Sequence, residues 1–207
     1  MRPDRTIEDS SVRMTAGNGY SIVELLFTMS LTMTLGGMAI PPLLTSLDDY
    51  RTAGAARYMA TRVQRTRMEA ISRSANVAMQ FSQTKTGFSY GMYVDGNGDG
   101  VRTEDIKKTI DRPLGAIERL PDNFPDVDFG VLPGLPPVQS GGSPPGTDPI
   151  KLGTSNLLSF SALGTSSSGS VYIRGRGMAQ YAIRVFGETG RVRVFKFDAR
   201  LRQWKSL

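Results

Sequence analysis

Residues 20–47 have the sequence YSIVELLFTMSLTMTLGGMAIPPLLTSL, the longest apolar stretch in the chain. As a helix, residues 20–40 alone extend roughly 31 Å at about 1.5 Å per residue, enough to cross a hydrocarbon core of about 30 Å. A secretory signal and a buried core helix are the competing interpretations. A signal peptide has a shorter apolar region after a basic start, and a core helix this long without charged edges is unusual in a small domain. The stretch therefore predicts a transmembrane helix over residues 20–47.

Glu24 places one carboxylate inside this apolar stretch. An ionisable residue within a membrane costs roughly 2.5 to 3.5 kcal/mol on insertion scales, so its presence indicates a functional role and a charged partner. The alternative is that Glu24 lies near the membrane surface and extends its carboxylate into water.

Pro41 and Pro42 interrupt the stretch, and beyond them a second helix is predicted over residues 48–78. Proline removes a backbone donor and disfavours the helical conformation of the preceding residue, so we expect a kink or a locally melted turn at the pair. The second helix is predicted to be amphipathic and to continue the first, with small and apolar residues recurring at spacings of three and four: Ala56, Met59, Val63, Thr66 and Ala70.

Residues 79–200 are predicted to form a β-rich head. Short runs rich in β-branched and aromatic residues are separated by glycine and serine turns: VAMQF, FSYGMYV, NLLSF, VYIR, YAIRVF and RVRVFKF. Residues 113–149 hold nine of the twelve prolines and are predicted to be a long surface loop or a disordered insertion. Residues 201–207 are predicted to be a C-terminal tail. The expected fold class is α+β: a long N-terminal α-helix, half in the membrane and half amphipathic, packed on an antiparallel β-sheet or β-sandwich.

Composition excludes several kinds of chemistry. The chain has no cysteine and no histidine, which excludes disulfides, thiolate nucleophiles, zinc sites of the usual kind and Ser-His-Asp relays. Residues 171–207 carry nine basic and two acidic side chains. A segment this basic suits a polyanionic partner, and the alternative is a strand face that arginines keep soluble.

The string GYSIVELLF, residues 19–27, resembles the processing site of type IV pilins and type II secretion pseudopilins. The resemblance implies that a prepilin peptidase cuts between Gly19 and Tyr20 and N-methylates Tyr20. It also implies that Glu24 is the family's helix glutamate and Pro41 its helix-breaking proline. The new amine of one subunit would then pair with Glu24 of a neighbour in a low-dielectric core, where each charge compensates the other.

Residues 1–19 would form the leader peptide, and they differ from the family pattern. Three arginines and three acidic residues give this segment a net charge of zero, whereas leaders in the family are typically basic and often shorter. Met14 is an alternative start, which leaves the leader MTAGNG.

The head resembles the FimT/GspH branch of the same superfamily through FSALGTSSSGSVYIR, YAIRVFGETGRVRV and YVDGNGDGVRTEDI. This resemblance implies a minor pseudopilin of type II secretion that assembles with other pilins or pseudopilins through its N-terminal helix. It would be held in the bacterial inner membrane with its head in the periplasm, and would then join a pseudopilus or pilus. No cofactor and no enzymatic activity are expected. The absence of cysteine favours a secretion pseudopilin, because many pilins carry a C-terminal disulfide.

GRVR, residues 190–193, suggests a second role. Alternation along a strand places Arg191 and Arg193 on one face, roughly 6 to 7 Å apart, close to the spacing of successive phosphates along a DNA strand. Some FimT-type minor pilins bind DNA through a GRxR motif of this kind, and Arg174 and Arg176 are predicted to extend the patch. The alternative is an ordinary exposed strand face.

DGNGDG, residues 95–100, resembles half of a calcium loop. Asp95, Asn97 and Asp99 offer oxygen ligands at alternate positions. The twelfth position is Ile106 rather than glutamate, so an Asx and glycine turn is the competing interpretation. A pair of carboxylates acting as in glycosidases is the remote enzymatic alternative.

Overall fold

A computed structural model describes residues 19–139, 141–153 and 155–207. The predicted leader lies outside these residues apart from Gly19, and the alternative start at Met14 lies outside them as well. The chain divides into two compact units, Met1–Pro42 and Leu43–Leu207.

The N-terminal helix, α1, extends from Ile22 to Arg73 and includes Pro41 and Pro42. The predicted melted turn is therefore wrong. The two prolines remove only their own backbone donors, and the helical turns on either side keep theirs. Helix α1 also ends five residues before the predicted boundary at 78. It ends because Ser74 adopts the left-handed conformation, with a φ of 50°, and the Ala75 N–H bonds back to the Ala70 carbonyl.

The second half of α1 packs against the head, as the spacing of its apolar residues predicted. All five residues of the predicted stripe are buried, together with Thr52, Ala55 and Ala60. The buried hydroxyls of Thr52 and Thr66 donate to carbonyls one turn earlier, at 2.7 and 2.9 Å. Small side chains let the helix approach the sheets closely, and the two polar ones are satisfied within the helix.

The head consists of short helices and antiparallel strands. In chain order these are β1 (Val77–Thr84), β2 (Gly87–Val94), α2 (Thr103–Lys107), β3 (Arg112–Pro113), α3 (Leu120–Asn123), β4 (Asp128–Phe129), β5 (Ile150–Lys151), β6 (Leu157–Phe160), β7 (Gly169–Arg174), β8 (Gln180–Phe186), β9 (Arg191–Asp198) and β10 (Gln203–Ser206). One sheet has the order β3-β2-β1-β6. The other has the order β10-β9-β8-β7-β4, with β5 also paired to β7. The predicted α+β fold, a long helix on antiparallel sheets, is confirmed.

The two sheets and α1 share one hydrophobic core. Phe129 of β4 lies among aromatic rings of the first sheet, with its centroid 5.5 Å from that of Phe81 and 6.0 Å from that of Tyr90 in edge-on geometry. Such pairs add about 0.5 to 1.5 kcal/mol beyond the burial of their area.

The proline-rich segment differs from its prediction as a surface loop. Residues 113–149 contain α3 and β4, and the apolar residues between the prolines are buried: Leu120, Val127, Phe129, Leu132 and Leu135. Pro113 lies in β3 and Pro121 in α3, and the other prolines of the segment lie in connections between elements. The predicted tail is also ordered, because β10 pairs with β9 and the Trp204 Nε1–H donates to the Pro136 carbonyl at 2.9 Å.

Glu118 joins α1 to the first sheet. Its carboxylate accepts hydrogen bonds from the Tyr58 hydroxyl at 2.7 Å and the Tyr90 hydroxyl at 3.1 Å, and it forms an ion pair with Arg62. Burial, and then the neighbouring Glu118 carboxylate, raise the pKa of Tyr90. The Tyr90 hydroxyl therefore stays protonated and serves as a donor.

Asp48 and Asp49 join α1 to the second sheet. Asp48 accepts the backbone N–H groups of Arg176 and Gly177, in the β7–β8 turn, at 2.9 and 3.1 Å. Asp49 accepts the Tyr181 hydroxyl at 3.0 Å and the Lys196 ammonium at 2.6 Å. Two adjacent helix residues thus hold a turn and two strands.

Candidate functional site

Gly19 and Tyr20 precede the first turn of α1 and are exposed. The helix begins at Ile22, and the Leu25 N–H donates to the Ser21 carbonyl at 3.0 Å. The peptide bond between Gly19 and Tyr20 therefore lies outside the hydrogen-bonded helix. This placement leaves the predicted cleavage point accessible, and cleavage itself stays a prediction.

Glu24 lies in the first turn of α1 and is exposed. Within the part of the chain that the structure describes, no basic group lies within ion-pair distance of its carboxylate. Tyr20 precedes Glu24 by four residues and lies just before the helix begins at Ile22.

The side chains of α1 from Ile22 to Leu47 are almost all exposed, although most are apolar. Four of the polar residues among them satisfy their hydroxyls within the helix. Those of Thr28, Ser30, Thr32 and Thr34 donate to carbonyls three or four residues earlier, at 2.7 to 3.0 Å. Lipid offers polar groups no partner, so internal bonding of this kind suits a hydrocarbon environment. The apolar part of α1 therefore fits a single-pass membrane anchor, as its length and composition also allow.

Arg191 and Arg193 lie on one exposed face of β9, and Val192 and Val194 pack against the core on the other. The turn before them depends on Gly190, which has a φ of 61°. A side chain at Gly190 would also collide with the Gly164 carbonyl and the Arg67 guanidinium. The glycine of GRVR thus has a structural role of its own.

Arg184 lies beside Arg191 and Arg193, and the sequence analysis did not predict it. It lies opposite Arg193 in the β8–β9 register, and Phe186 lies opposite Arg191. The Cζ atoms of Arg184 and Arg193 are each 6.0 Å from the centroid of the Phe186 ring. The signal was present in the sequence, because counting outward from the GETG turn pairs Arg184 with Arg193. We call Arg184, Phe186, Arg191 and Arg193 the arginine cluster.

Arg174 and Arg176 do not join the arginine cluster. Arg174 pairs with Gln180, four residues along β8 from Arg184, a separation of about 13 Å. Arg176 lies in the turn held by Asp48, whereas the Gly190 turn approaches Arg67. Along α1 the nineteen residues from Asp48 to Arg67 rise about 28 Å. The predicted extension of the patch is therefore wrong, because the β7–β8 turn lies at the opposite end of the strands.

The DGNGDG segment forms a turn held by its own carboxylate. Asp95 accepts the N–H groups of Asn97, Gly98 and Gly100 at 2.7 to 3.1 Å, and the Asn76 side-chain amide at 3.0 Å. This bonding is that of an Asx and glycine turn. The described residues contain no group of three or more Asp, Glu, His or Cys side chains placed to hold a metal ion.

The Asp95 turn makes stability depend on pH. Burial acts to raise the pKa of the Asp95 carboxyl, but the hydrogen bonds from Asn76 and from the backbone of Gly98, Gly100 and Asn97 hold it below the ordinary value of 3.8. A lowered pKa means that the stabilisation is complete above pH 3.8 and is lost as the pH falls through the folded-state value.

Asp95→Asn should therefore lower the free energy of unfolding near neutral pH by about 1 to 2 kcal/mol, because a charged acceptor is replaced by a neutral one. Thermal unfolding between pH 2 and pH 7 measures this, with Glu188→Gln as the exposed control. The difference in free energy of unfolding between Asp95→Asn and the unsubstituted chain should become smaller as the pH falls. A difference that stays constant with pH would contradict the conclusion that the charged Asp95 carboxylate is the source of the stabilisation.

A long apolar N-terminal helix whose second half packs on antiparallel sheets defines the class of pilins and pseudopilins. Residues 55–190, more than half of the chain, match the family described as type II transport protein GspH, and the chain belongs to that family. It is 37% identical over 81 residues to the pilin-like protein PilA1 of Thermus thermophilus, covering 39% of this chain and 50% of that protein. The chain thus spans about half the length of that curated relative. No solved structure matches.

Proposed function

We infer that this chain is a minor pseudopilin that assembles into the periplasmic pseudopilus of a type II secretion system, anchored before assembly in the bacterial inner membrane. The observation that carries this inference is the exposed apolar surface of α1 from Ile22 to Leu47, with its isolated carboxylate at Glu24. Such a surface requires cover from lipid before assembly and from neighbouring helices afterwards. Membership of the GspH family supports the assignment to secretion.

Maturation by a prepilin peptidase gives Glu24 its partner. Cleavage after Gly19 creates an α-amino group on Tyr20, which the peptidase then methylates. In a stack of helices this amine meets the Glu24 carboxylate of an adjacent subunit. The role is structural, and the head serves in contacts with other subunits rather than in catalysis.

Mass spectrometry of protein extracted from membranes tests this maturation. The expected product begins at Tyr20 and carries one added methyl group on its N-terminus. The same chain expressed in a strain without the peptidase is the control and should keep its leader. An intact leader in a strain that has the peptidase would refute the proposed maturation.

DNA capture by a type IV pilus is a second candidate, favoured by the arginine cluster. Among the described residues, no carboxylate lies within ion-pair distance of Arg184, Arg191 or Arg193. A deletion strain scored together for exoprotein secretion, twitching and DNA uptake separates the candidates. Loss of secretion alone supports the pseudopilin role, and loss of DNA uptake with intact secretion supports the second candidate.

A further inference from the structure

An open groove in the head begins at the last apolar turns of α1. Its volume is about 1130 Å³, and it lies between the helix, the β7–β8 turn and the β9–β10 turn. Leu44 and Leu47 line it on the helix side, and they are 60% and 41% exposed. Arg176 and Met178 line it from the β7–β8 turn, and Arg200 lines it from the β9–β10 turn. The groove therefore joins an apolar helix surface to two turns that carry arginines.

The length of α1 places this groove beside the membrane surface. From Ile22 to Leu47 the helix rises roughly 38 Å at about 1.5 Å per residue. The hydrocarbon core is about 30 Å thick, and the headgroup regions bring the bilayer to about 40 to 45 Å. A helix whose first turn lies at one edge of the core therefore reaches the opposite headgroups with residues 43–47. These residues belong to the same compact unit as the head, so the groove that they line is also level with the headgroups.

Two arginines are the cations of the groove that lack a counter-charge. The carboxylates that line the groove are already engaged: Asp48 with backbone N–H groups, Asp49 with Lys196, Asp126 with Arg51 and Asp198 with Lys205. Arg176 and Arg200 are exposed, and among the described residues no carboxylate lies within ion-pair distance of either guanidinium. Because a guanidinium can donate two parallel hydrogen bonds to phosphate oxygens, both side chains suit phosphate groups.

An exposed apolar side chain accompanies each of these arginines. Met178 follows Arg176 by two residues and is 67% exposed, and Leu201 follows Arg200 and is 58% exposed. Asp48 holds the β7–β8 turn against the helix by accepting two of its backbone N–H groups at 2.9 and 3.1 Å. Apolar and basic side chains together are typical of a surface that lies at a membrane interface, where the apolar groups enter the acyl boundary and the cations meet the headgroups.

We propose that this groove binds the headgroups of anionic phospholipids while α1 is in the membrane. Arg176 and Arg200 supply the positive charge that the phosphates meet, and Met178 enters the boundary between headgroups and acyl chains. The occupant is a lipid, because Leu44 and Leu47 make the groove continuous with the surface of α1 that lipid covers. The proposal rests on the membrane anchorage inferred above, and it applies before the chain enters a fibre, whichever fibre that is.

The test uses the full chain, reconstituted in lipid nanodiscs with one nitroxide label. The chain has no cysteine, so Ala199→Cys places a single label in the lining of the groove and leaves both arginines and Met178 intact. Leu163→Cys is the matched control label. Leu163 is 89% exposed in the turn between β6 and β7, beside Gly164, which accepts a hydrogen bond from Arg67 near the far end of α1. Electron paramagnetic resonance compares collisions of the label with a water-soluble nickel chelate and with oxygen, which concentrates in lipid.

The label at Ala199 should be shielded from the nickel chelate in discs of phosphatidylcholine mixed with phosphatidylglycerol, relative to discs of phosphatidylcholine alone. Each arginine near an anionic surface contributes about 5-fold to the ratio of lipid-bound to free heads, so Arg176→Gln combined with Arg200→Gln should lower this ratio about 30-fold. Added salt should also reduce the shielding, because it screens exposed charges.

Three further variants separate charge from apolar contact and from folding. Met178→Gln should reduce contact in both kinds of disc, because its contribution does not depend on lipid charge. Arg176→Lys combined with Arg200→Lys keeps both charges and should keep most of the shielding, which a misfolded head would not. Arg112→Gln removes an exposed arginine of the other sheet and should change nothing.

Three results overturn the proposal. The first is a label at Ala199 that stays as accessible to the nickel chelate in anionic discs as the label at Leu163. The second is shielding that persists when Arg176 and Arg200 are both replaced by glutamine. The third is loss of shielding on addition of inorganic phosphate at matched ionic strength, which would indicate a site for free phosphate. A chain that does not enter the discs at all instead removes the membrane anchorage itself, so the two failures are distinguishable.

Discussion

Glu24→Ala is expected to be processed normally and to fail to enter the fibre. Without the carboxylate, the amine of Tyr20 in the adjacent subunit is left charged and unpaired among apolar helices. Removing one partner of a buried pair costs about 3 to 5 kcal/mol, which is more than a hundredfold in the equilibrium constant of each subunit contact. Comparison of sheared fibre and membrane fractions by immunoblot measures incorporation, and mass spectrometry of the membrane fraction measures processing.

Two further variants show whether charge is the cause. Glu24→Gln keeps the shape and should also fail, whereas Thr28→Val removes a hydroxyl that bonds only within its own helix and should assemble. Normal incorporation of Glu24→Ala would refute the pairing and would favour a Glu24 carboxylate that simply reaches water at the membrane surface.

Glu118→Ala is expected to lower the free energy of unfolding by about 3 kcal/mol. The substitution leaves Arg62 without its carboxylate and the hydroxyls of Tyr58 and Tyr90 without their acceptor. Each partly buried polar group left unsatisfied costs about 1 to 3 kcal/mol. Thermal unfolding of the full chain in detergent, followed by circular dichroism, measures the loss.

Glu188→Ala is the matched control, because Glu188 is exposed in the GETG turn and should change stability by less than about 0.5 kcal/mol. Glu118→Gln keeps one oxygen for the tyrosines and should lose less than the alanine variant. A loss below about 1 kcal/mol for Glu118→Ala would show that the contacts of Glu118 with α1 and the first sheet do not stabilise the fold.

The sequence predicted the features that depend on local periodicity. The stripe from Ala56 to Ala70 follows the helical repeat, and the six predicted strands follow alternation and turn residues. Features that depend on distant residues were missed. The proline-rich segment contains apolar residues such as Leu120 that belong to the core shared by both sheets and α1, and composition alone does not show which residues pack together.

The candidate functional residues also divide into those that local sequence predicted and those that depend on the fold. The positions of Gly19, Tyr20 and Glu24 follow from a short linear motif. The arginine cluster requires a strand register, so Arg184 escaped notice although only a turn separates it from GRVR. Arg174 and Arg176 lie near GRVR in the sequence. The antiparallel direction of β7 and β8 nevertheless places them at the opposite end of β8.

Asp48 and Asp49 have a mechanical consequence. Successive helix residues point about 100° apart, so the two carboxylates grip different parts of the second sheet: Asp48 holds the Gly177 turn, and Asp49 holds Tyr181 and Lys196. Tension along α1 at this point is shared among several contacts acting in parallel. The chain has no cysteine, so no disulfide shares this tension with the contacts of Asp48 and Asp49. Because these contacts are non-covalent, they can break under tension and re-form when it is released.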